Sequence, residues 1–406
     1  MQCTSRQPAP AIPPRISSPP AVRLVVSPSS LLAAFASVPD PRTPQGVRFT
    51  LAAILALAAA AILSNHLSIL AIAEWGATQR ADLLRELGFQ KGITPHQATI
   101  QRVFRKLNRQ GLSTALERHF GTITSGGRRG RGSEGVAIDG KAQRGRLAFD
   151  PEDGPVHTLT AFLHDQGIVL AQEPIETSGR SDKAEAELTV APKLIKRVDW
   201  QGRVMTGDAL FCQRNLCQEV VDAAGDYLLT VKENQPTLLS DIRLLFDPPF
   251  PCPPLVDRRE AQTVDNGHGR HRDTRQLIAS TDLVGYTDWP SLAQVFRIER
   301  TWEERGQTKH EVQYGITSLP PEVADASRLL ALRRGHWQIE NGLHYVKDVT
   351  FGEDRSLVHL GNSPAIMAML RDASISLLRK AGSRSIAPRL RYHSRHPEHA
   401  VALLTA

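Results

Sequence analysis

Cysteine is scarce: Cys3, Cys212, Cys217 and Cys252 are the only four among 406 residues. Their spacing lacks the close pairs of a zinc site, and their density is far below that of a secreted disulfide scaffold, so a reducing, cytoplasmic setting fits best. Long apolar runs are also missing. The longest, Leu51 to Leu63, is bracketed by Arg48 and Asn65–His66 and falls short of the roughly 20 residues a membrane span requires. It predicts a buried helix, and no membrane partner is expected. No charged start followed by an apolar core opens the chain, so no export signal is expected either.

What is present points to several folded units and an anionic partner. A chain of this length exceeds one ordinary globular core. Lysine and arginine outnumber the acidic residues by 49 to 42, a net charge of +7, with nucleic acid the leading polyanion. Residues 1–28 are rich in Pro and Ser, the composition of a tail that does not repay its ordering entropy. Residues 29–124 carry helical periodicity. Within them Thr94 is placed to cap a helix starting at Pro95, with Ile100, Val103, Phe104 and Leu107 on one face. Arg102, Arg105, Lys106 and Arg109 occupy the other, as a row along phosphates or simply a solvated basic face.

Residues 125–135, SGGRRGRGSEG, read as a flexible basic linker, after which the periodicity changes. Short apolar runs such as GVAID, VHTLTAFL, GIVLAQEPI, GRVMTGD and DYLLTV predict strands, with helices near 181–197 and 209–224 between them. This is an α/β pattern over residues 136–245. Residues 246–325 predict further strands, a β-rich insertion. Helices at Ala326–Val349 and Ser363–Lys380 are expected within 326–382, and residues 383–406 read as a C-terminal tail.

Three acidic residues are candidates for chemistry. Asp139 in GVAIDGKAQRG and Asp208 in GRVMTGD each stand where a predicted strand leaves a sheet, the usual place for α/β sites. Either one alone reads first as a turn former or helix cap; two, on strands that could be neighbours, point to a site. Glu340 lies in LRRGHWQIENGLHYVKDVTFGEDRS, where Arg333, His336, Glu340, His344 and Lys347 form one polar stripe of a helix whose other side is Leu329, Leu332, Ile339, Leu343 and Val346. The plainer reading is a salt-bridged surface. Trp337 and Tyr345 are expected to be packing residues. Three carboxylates suit phosphodiester cleavage because hard divalent ions take oxygen ligands and offset charge on the attacking and leaving oxygens.

In order and spacing, GVAIDGKAQRG, VMTGDALFCQ with AGDYLLTVKENQPTL, NGHGRHRDTR and RGHWQIENGLHYVKDVTFGEDRS resemble the H-repeat-associated branch of the insertion-sequence-4-like DDE transposases. The likeness extends upstream through PDPRTPQGVRFTLAAILALAAAAIL and ITPHQATIQRVFRKLN, covering roughly residues 35 to 380. It implies a ribonuclease-H-like α/β catalytic domain with a β-rich insertion, behind an all-α N-terminal domain. It also implies metal binding by Asp139, Asp208 and Glu340, with two Mg²⁺ ions, or Mn²⁺ in their place.

The expected partners are double-stranded DNA, as terminal inverted repeats and target, and a second copy of the chain when DNA is bound. DNA contact is expected from Lys141, Arg144, Lys232, Asn234, Gln235, Arg270, Arg333, His336, His344 and Lys347, besides Arg102, Arg105 and Lys106. Lys347 matches the wider superfamily's lysine, whereas Arg333 and His336 depart from its Tyr and Arg. Lys232, Asn234 and Gln235 serve equally as residues that shape the site. His268 to His271 suit DNA contact better than metal, since no spaced carboxylate accompanies them. Two alternatives stay open on sequence: a nuclease that never rejoins DNA, and a DNA-binding remnant.

Overall fold

The computed structural model describes residue 27 and residues 29–406, apart from 46, 125–129, 144–155, 176–182, 250, 252, 267–271 and 305. Arg144, Arg270, the His268–His271 segment, nearly all of the N-terminal tail and the first half of the basic linker therefore lie outside the described residues.

Six helices come first: α1 (Leu31–Ala36), α2 (Leu51–Leu63), α3 (Ile69–Thr78), α4 (Ala81–Glu86), α5 (Gln97–Lys106) and α6 (Arg109–Thr124). The apolar run forms α2, capped by the Thr50 hydroxyl, which accepts the Ala53 N–H at 3.2 Å, and all of it but Ala52 is buried. Helix α5 has the expected two faces, with Ile100, Val103 and Phe104 inside and Arg102, Arg105 and Lys106 exposed. Its cap is not Thr94. The helix starts two residues later, where His96 Nδ1 accepts the Ala98 N–H at 3.2 Å.

The α/β region opens with β1 (Glu134–Ala142), β2 (His157–Leu163) and β3 (Ile168–Ile175), which pair antiparallel in sequence order. After α7 (Lys183–Ile195), β4 (Arg203–Gly207) returns parallel to β1; after α8 (Arg214–Asp222), β5 (Asp226–Val231) lies parallel to β4. The resulting order β3-β2-β1-β4-β5 is the expected ribonuclease-H-like arrangement. Helix α9 (Pro236–Phe246) was not anticipated, although Pro236 at its first turn and the buried Leu238, Leu239 and Ile242 mark it in sequence.

The β-rich segment supplies β6 (Arg259–Asn266), β7 (Arg272–Ser280), β8 (Gln294–Glu304) and β9 (Gln307–Thr317). They do not form a separate sheet. β9 pairs antiparallel with β5, so the order continues β9-β8-β7-β6 and one sheet of nine strands results. The edge of β5 would otherwise expose unpaired backbone groups.

The predicted helix at Ala326–Val349 is corrected. Only α10 (Ala326–Gly335) is regular; after a turn at His336–Trp337 the chain winds on through two π-helical stretches, Glu340–His344 and Val346–Thr350. Trp337 and Tyr345, expected to pack, are 50% and 59% exposed, because Ile339, Leu343 and Val346 fill the inward side. Helix α11 (Ser363–Lys380) matches its expected span and is buried along most of its length. Residues 383–406 are not a tail. They form α12 (Ile386–His393) and α13 (Pro397–Thr405), whose Ile386, Leu390, Ala400, Val401 and Leu404 are buried in a cluster with α2.

The basic linker is likewise part of the fold at its end. Arg131 pairs with Asp226 at 2.9 Å, and β1 begins at Glu134. Arg197 reaches both Glu117 on α6 and Glu173 on β3, joining the helical region to the sheet. Among the described residues, no helix is long and apolar enough to cross a membrane.

Candidate metal centre

The parallel register of β1 and β4 sets two carboxylates side by side. Ala137 lies opposite Thr206, and Asp139 and Asp208 each follow two residues later, Asp139 within β1 and Asp208 just past the end of β4. Asp139 does not end its strand, as expected, but sits within it opposite Thr160 of β2, where β4 has already stopped. Gly140 beside it has a steric reason. A Cβ there would lie 2.3 Å from Glu187 Oε1, a buried carboxylate on α7 that His157 also holds, at 3.1 Å.

Glu340 and His344 reach the same place from the first π-helical stretch. His344 Nδ1 lies 3.3 Å from Asp139 Oδ2 and 3.6 Å from Glu340 Oε2, and the three ligand atoms all fall within 4.8 Å of one another. Ligands bonded at about 2.1 Å to one ion stand roughly 3.0–3.4 Å apart, so this donor set fits a divalent cation. Asp208 is outside that group. Its Oδ1 accepts the Leu210 N–H at 2.9 Å and caps a short 3₁₀ turn, Ala209–Phe211, so the capping reading holds for it too.

The electrostatics are those of crowded acids. Burial raises the pKa of Asp139, with the charge of Glu340 adding to the rise and His344 opposing it. Glu340, half exposed, is pulled down to about 2, first by its hydrogen bond with His344. For His344 burial alone acts downward, but the bonds to Asp139 and Glu340 overcome it and raise its pKa. Asp208 is raised by burial, with the charges of Asp139 and Glu187 contributing and the Leu210 N–H and Lys232 opposing. Asp208 thus shares the field of the cluster without touching it.

Several residues expected on DNA are placed elsewhere. Lys347 is 6% exposed; its ammonium lies 3.0 Å from Asp372 on α11 and 3.4 Å from Glu353, which in turn binds Arg371 at 3.1 Å. Burial would lower its pKa, but these carboxylates raise it, so Lys347 is a buried cation that anchors the π-helical stretch. His336 is also buried, its Nδ1 3.4 Å from Thr206, whose hydroxyl lies 2.8 Å from His164. Burial, with Arg333 adjoining, holds it near pKa 3. His344 faces the carboxylates rather than the surface.

Arg333 and Lys232 remain open to a ligand, whereas Lys141, Asn234 and Gln235 are engaged within the chain. Arg333 gives one N–H to Gln313 at 3.0 Å, while its Nε and Nη1 have no partner among the described residues. It lines a cavity of about 200 Å³ with Arg275, Arg300, Arg334 and Trp337. Lys141 is paired with Asp348 at 2.6 Å. Lys232 is exposed. Asn234 donates to Ala209 O at 2.7 Å and Gln235 to Cys212 O at 2.9 Å, so both tie the loop after β5 to the chain just past Asp208. The sequence reading missed Glu187, whose only signal was an acidic residue within a predicted helix.

The transposase DDE domain family matches residues 132–377, and the DDE_Tnp_1-associated family matches residues 32–120. The putative transposase YncI of Escherichia coli O157:H7 is 30% identical over 369 residues, 86% of this chain and 87% of that protein. The H repeat-associated putative transposase YhhI of E. coli K12 is 27% identical over 352 residues, 84% and 88% of the two chains. A solved structure of the piggyBac transposase synaptic complex with hairpin DNA aligns with 92% of this chain and 78% of that one, at 10% identity and a TM-score of 0.41. The family matches cover both the helical region and the α/β region that carries Asp139, Asp208 and Glu340, and the chain belongs to the DDE transposases, in their H-repeat-associated branch.

Proposed function

We propose that this transposase cuts the ends of an insertion sequence and joins the freed 3′ ends to target DNA, with two Mg²⁺ ions, or Mn²⁺, held by Asp139, Asp208 and Glu340. The observation that carries the reading is the convergence of Asp139 and Glu340, remote in sequence, into one group of ligand atoms within 4.8 Å. The ions, when bound, would supply charge to the attacking and leaving oxygens of the phosphodiester. The chain's own part is to hold the donors. β1 fixes Asp139, the cap at Leu210 fixes the Asp208 carboxylate, and the Lys347–Asp372 pair fixes the second π-helical stretch, directly after the one that carries Glu340.

DNA contact is assigned to cations with free capacity. Exposed Arg102, Arg105 and Lys106 lie on α5, and a groove of about 600 Å³ beside them is lined by Arg48, His96, Arg102 and Lys106 among others. This is a surface suited to the phosphates of the inverted repeats. Lys232 and the cavity-facing Arg333 stand nearer the carboxylates, where a cleaved strand would pass. The active form is a homodimer on DNA, since two ends are cut together, and the protein works in the cytoplasm.

Labelled donor ends with a target plasmid and Mg²⁺ test the reading. Joined donor–target products are expected. Cut ends that never join make the protein a nuclease, and bound but uncut ends make it a DNA-binding remnant; either result rejects the proposal.

A further inference from the structure

The three carboxylates do not account for His344. The imidazole is 5% exposed, its Nε2 is buried without a partner among the described residues, and its Nδ1 points between Asp139 and Glu340. No surface function is open to a ring so enclosed. Its position is also built in by the backbone: Glu340 and His344 begin and end the first π-helical stretch, and such wide turns recur at functional sites. Asp208, the carboxylate expected to complete the set, lies outside the 4.8 Å group that His344 joins.

We infer that His344 is itself a metal ligand, so that one divalent ion of this transposase is bound by Asp139, Glu340 and the Nδ1 of His344, a mixed oxygen–nitrogen site. The inference rests on the metal-dependent reading above and sharpens it, because a nitrogen donor changes which ion is preferred. Mg²⁺ is hard and seeks oxygen; Mn²⁺ accepts imidazole more readily and stands among the carboxylate-binding ions as well. The chain should therefore favour Mn²⁺ over Mg²⁺, and His344 should be the source of the preference.

Pulsed EPR of Mn²⁺ bound to the full-length chain tests this without reference to activity. The expected spectrum shows coupling to a directly bonded nitrogen. That coupling should vanish in His344→Gln, which offers an amide oxygen in place of the ring nitrogen. Mn²⁺ affinity in this variant should fall about tenfold, while Mg²⁺ affinity changes less than about threefold. Mn²⁺ that is lost on Asp139→Asn but shows no nitrogen coupling in the wild type overturns the assignment of His344 and leaves the metal-dependent reading standing. A wild-type chain that binds no Mn²⁺ sensitive to Asp139→Asn overturns both. Circular dichroism of each variant separates lost ligation from lost fold.

Discussion

The ammonium of Lys347 lies 3.0 Å from the carboxylate of Asp372, deep between the π-helical stretch and α11. With Glu353 and Arg371 they form a buried set of two cations and two anions, and Gln172 of β3 donates to Asp372 at 2.7 Å. Removing one charge strands the others. Lys347→Met is expected to cost about 3–5 kcal/mol of stability, read as the shift of the urea unfolding midpoint. The double variant Lys347→Met, Asp372→Leu should recover part of that loss. A single variant as stable as the wild type would return Lys347 to the surface role first read from sequence.

Glu340 is half exposed and its side chain pairs with His344, so its loss should affect chemistry more than folding. Glu340→Gln is expected to lower the rate of end cleavage by on the order of 10³-fold, with gel-shift binding of inverted-repeat DNA and the melting temperature close to wild type. Unchanged cleavage would remove Glu340 from the site.

Asp208 is both a cap and a candidate ligand, and the two roles separate by substitution. Asparagine caps as well as aspartate does but carries no charge. Asp208→Asn should therefore keep its stability within a few tenths of a kcal/mol of wild type and lose cleavage, whereas Asp208→Ala should lose cleavage and about 1 kcal/mol besides. If Asp208→Asn cuts normally, the residue is a cap and nothing more.

His164 and His336 are both held near pKa 3, chiefly by burial, well below the value of about 6.5 in an unfolded chain. As pH falls, the unfolded chain takes up these protons first. The stability contributed by the two neutral rings is therefore complete above about pH 6.5 and drains away as pH drops towards 3, by up to about 1.4 kcal/mol per pH unit for each ring. Urea midpoints measured from pH 7 to 4.5 should show the decline. Burial also holds His119 near pKa 4, so His164→Gln, which keeps a hydrogen-bond partner for Thr206, should shallow the decline by no more than roughly a third, and an equal slope in both proteins would contradict the assignment.

Much of the architecture is legible in local pattern. The alternation of GVAID, GRVMTGD and DYLLTV with helical segments gives the α/β class because strand and helix periodicities differ, and the apolar run 51–63 has no fate but burial. Asp139 and Glu340 were legible through residue type and order. The π-helical winding after His336 was not, since an α-helical stripe and a π-helical one use the same residues and differ only in which neighbours pull the turn open. Nor was the fate of residues 383–406, whose apolar positions mean little until α2 offers a face to receive them.

By itself the sequence determined which residue types were available at which spacing: acids beside strand-forming runs, a helix with cations on one side, apolar runs too short for a membrane-crossing helix. Only the tertiary structure decided which charges meet. Asp139 finds Glu340 and His344, while Lys347, one turn further on, is turned inward to Asp372. Pairing between distant charges depends on the packing of whole elements and on the burial it imposes, and neither is encoded in any short stretch of the chain.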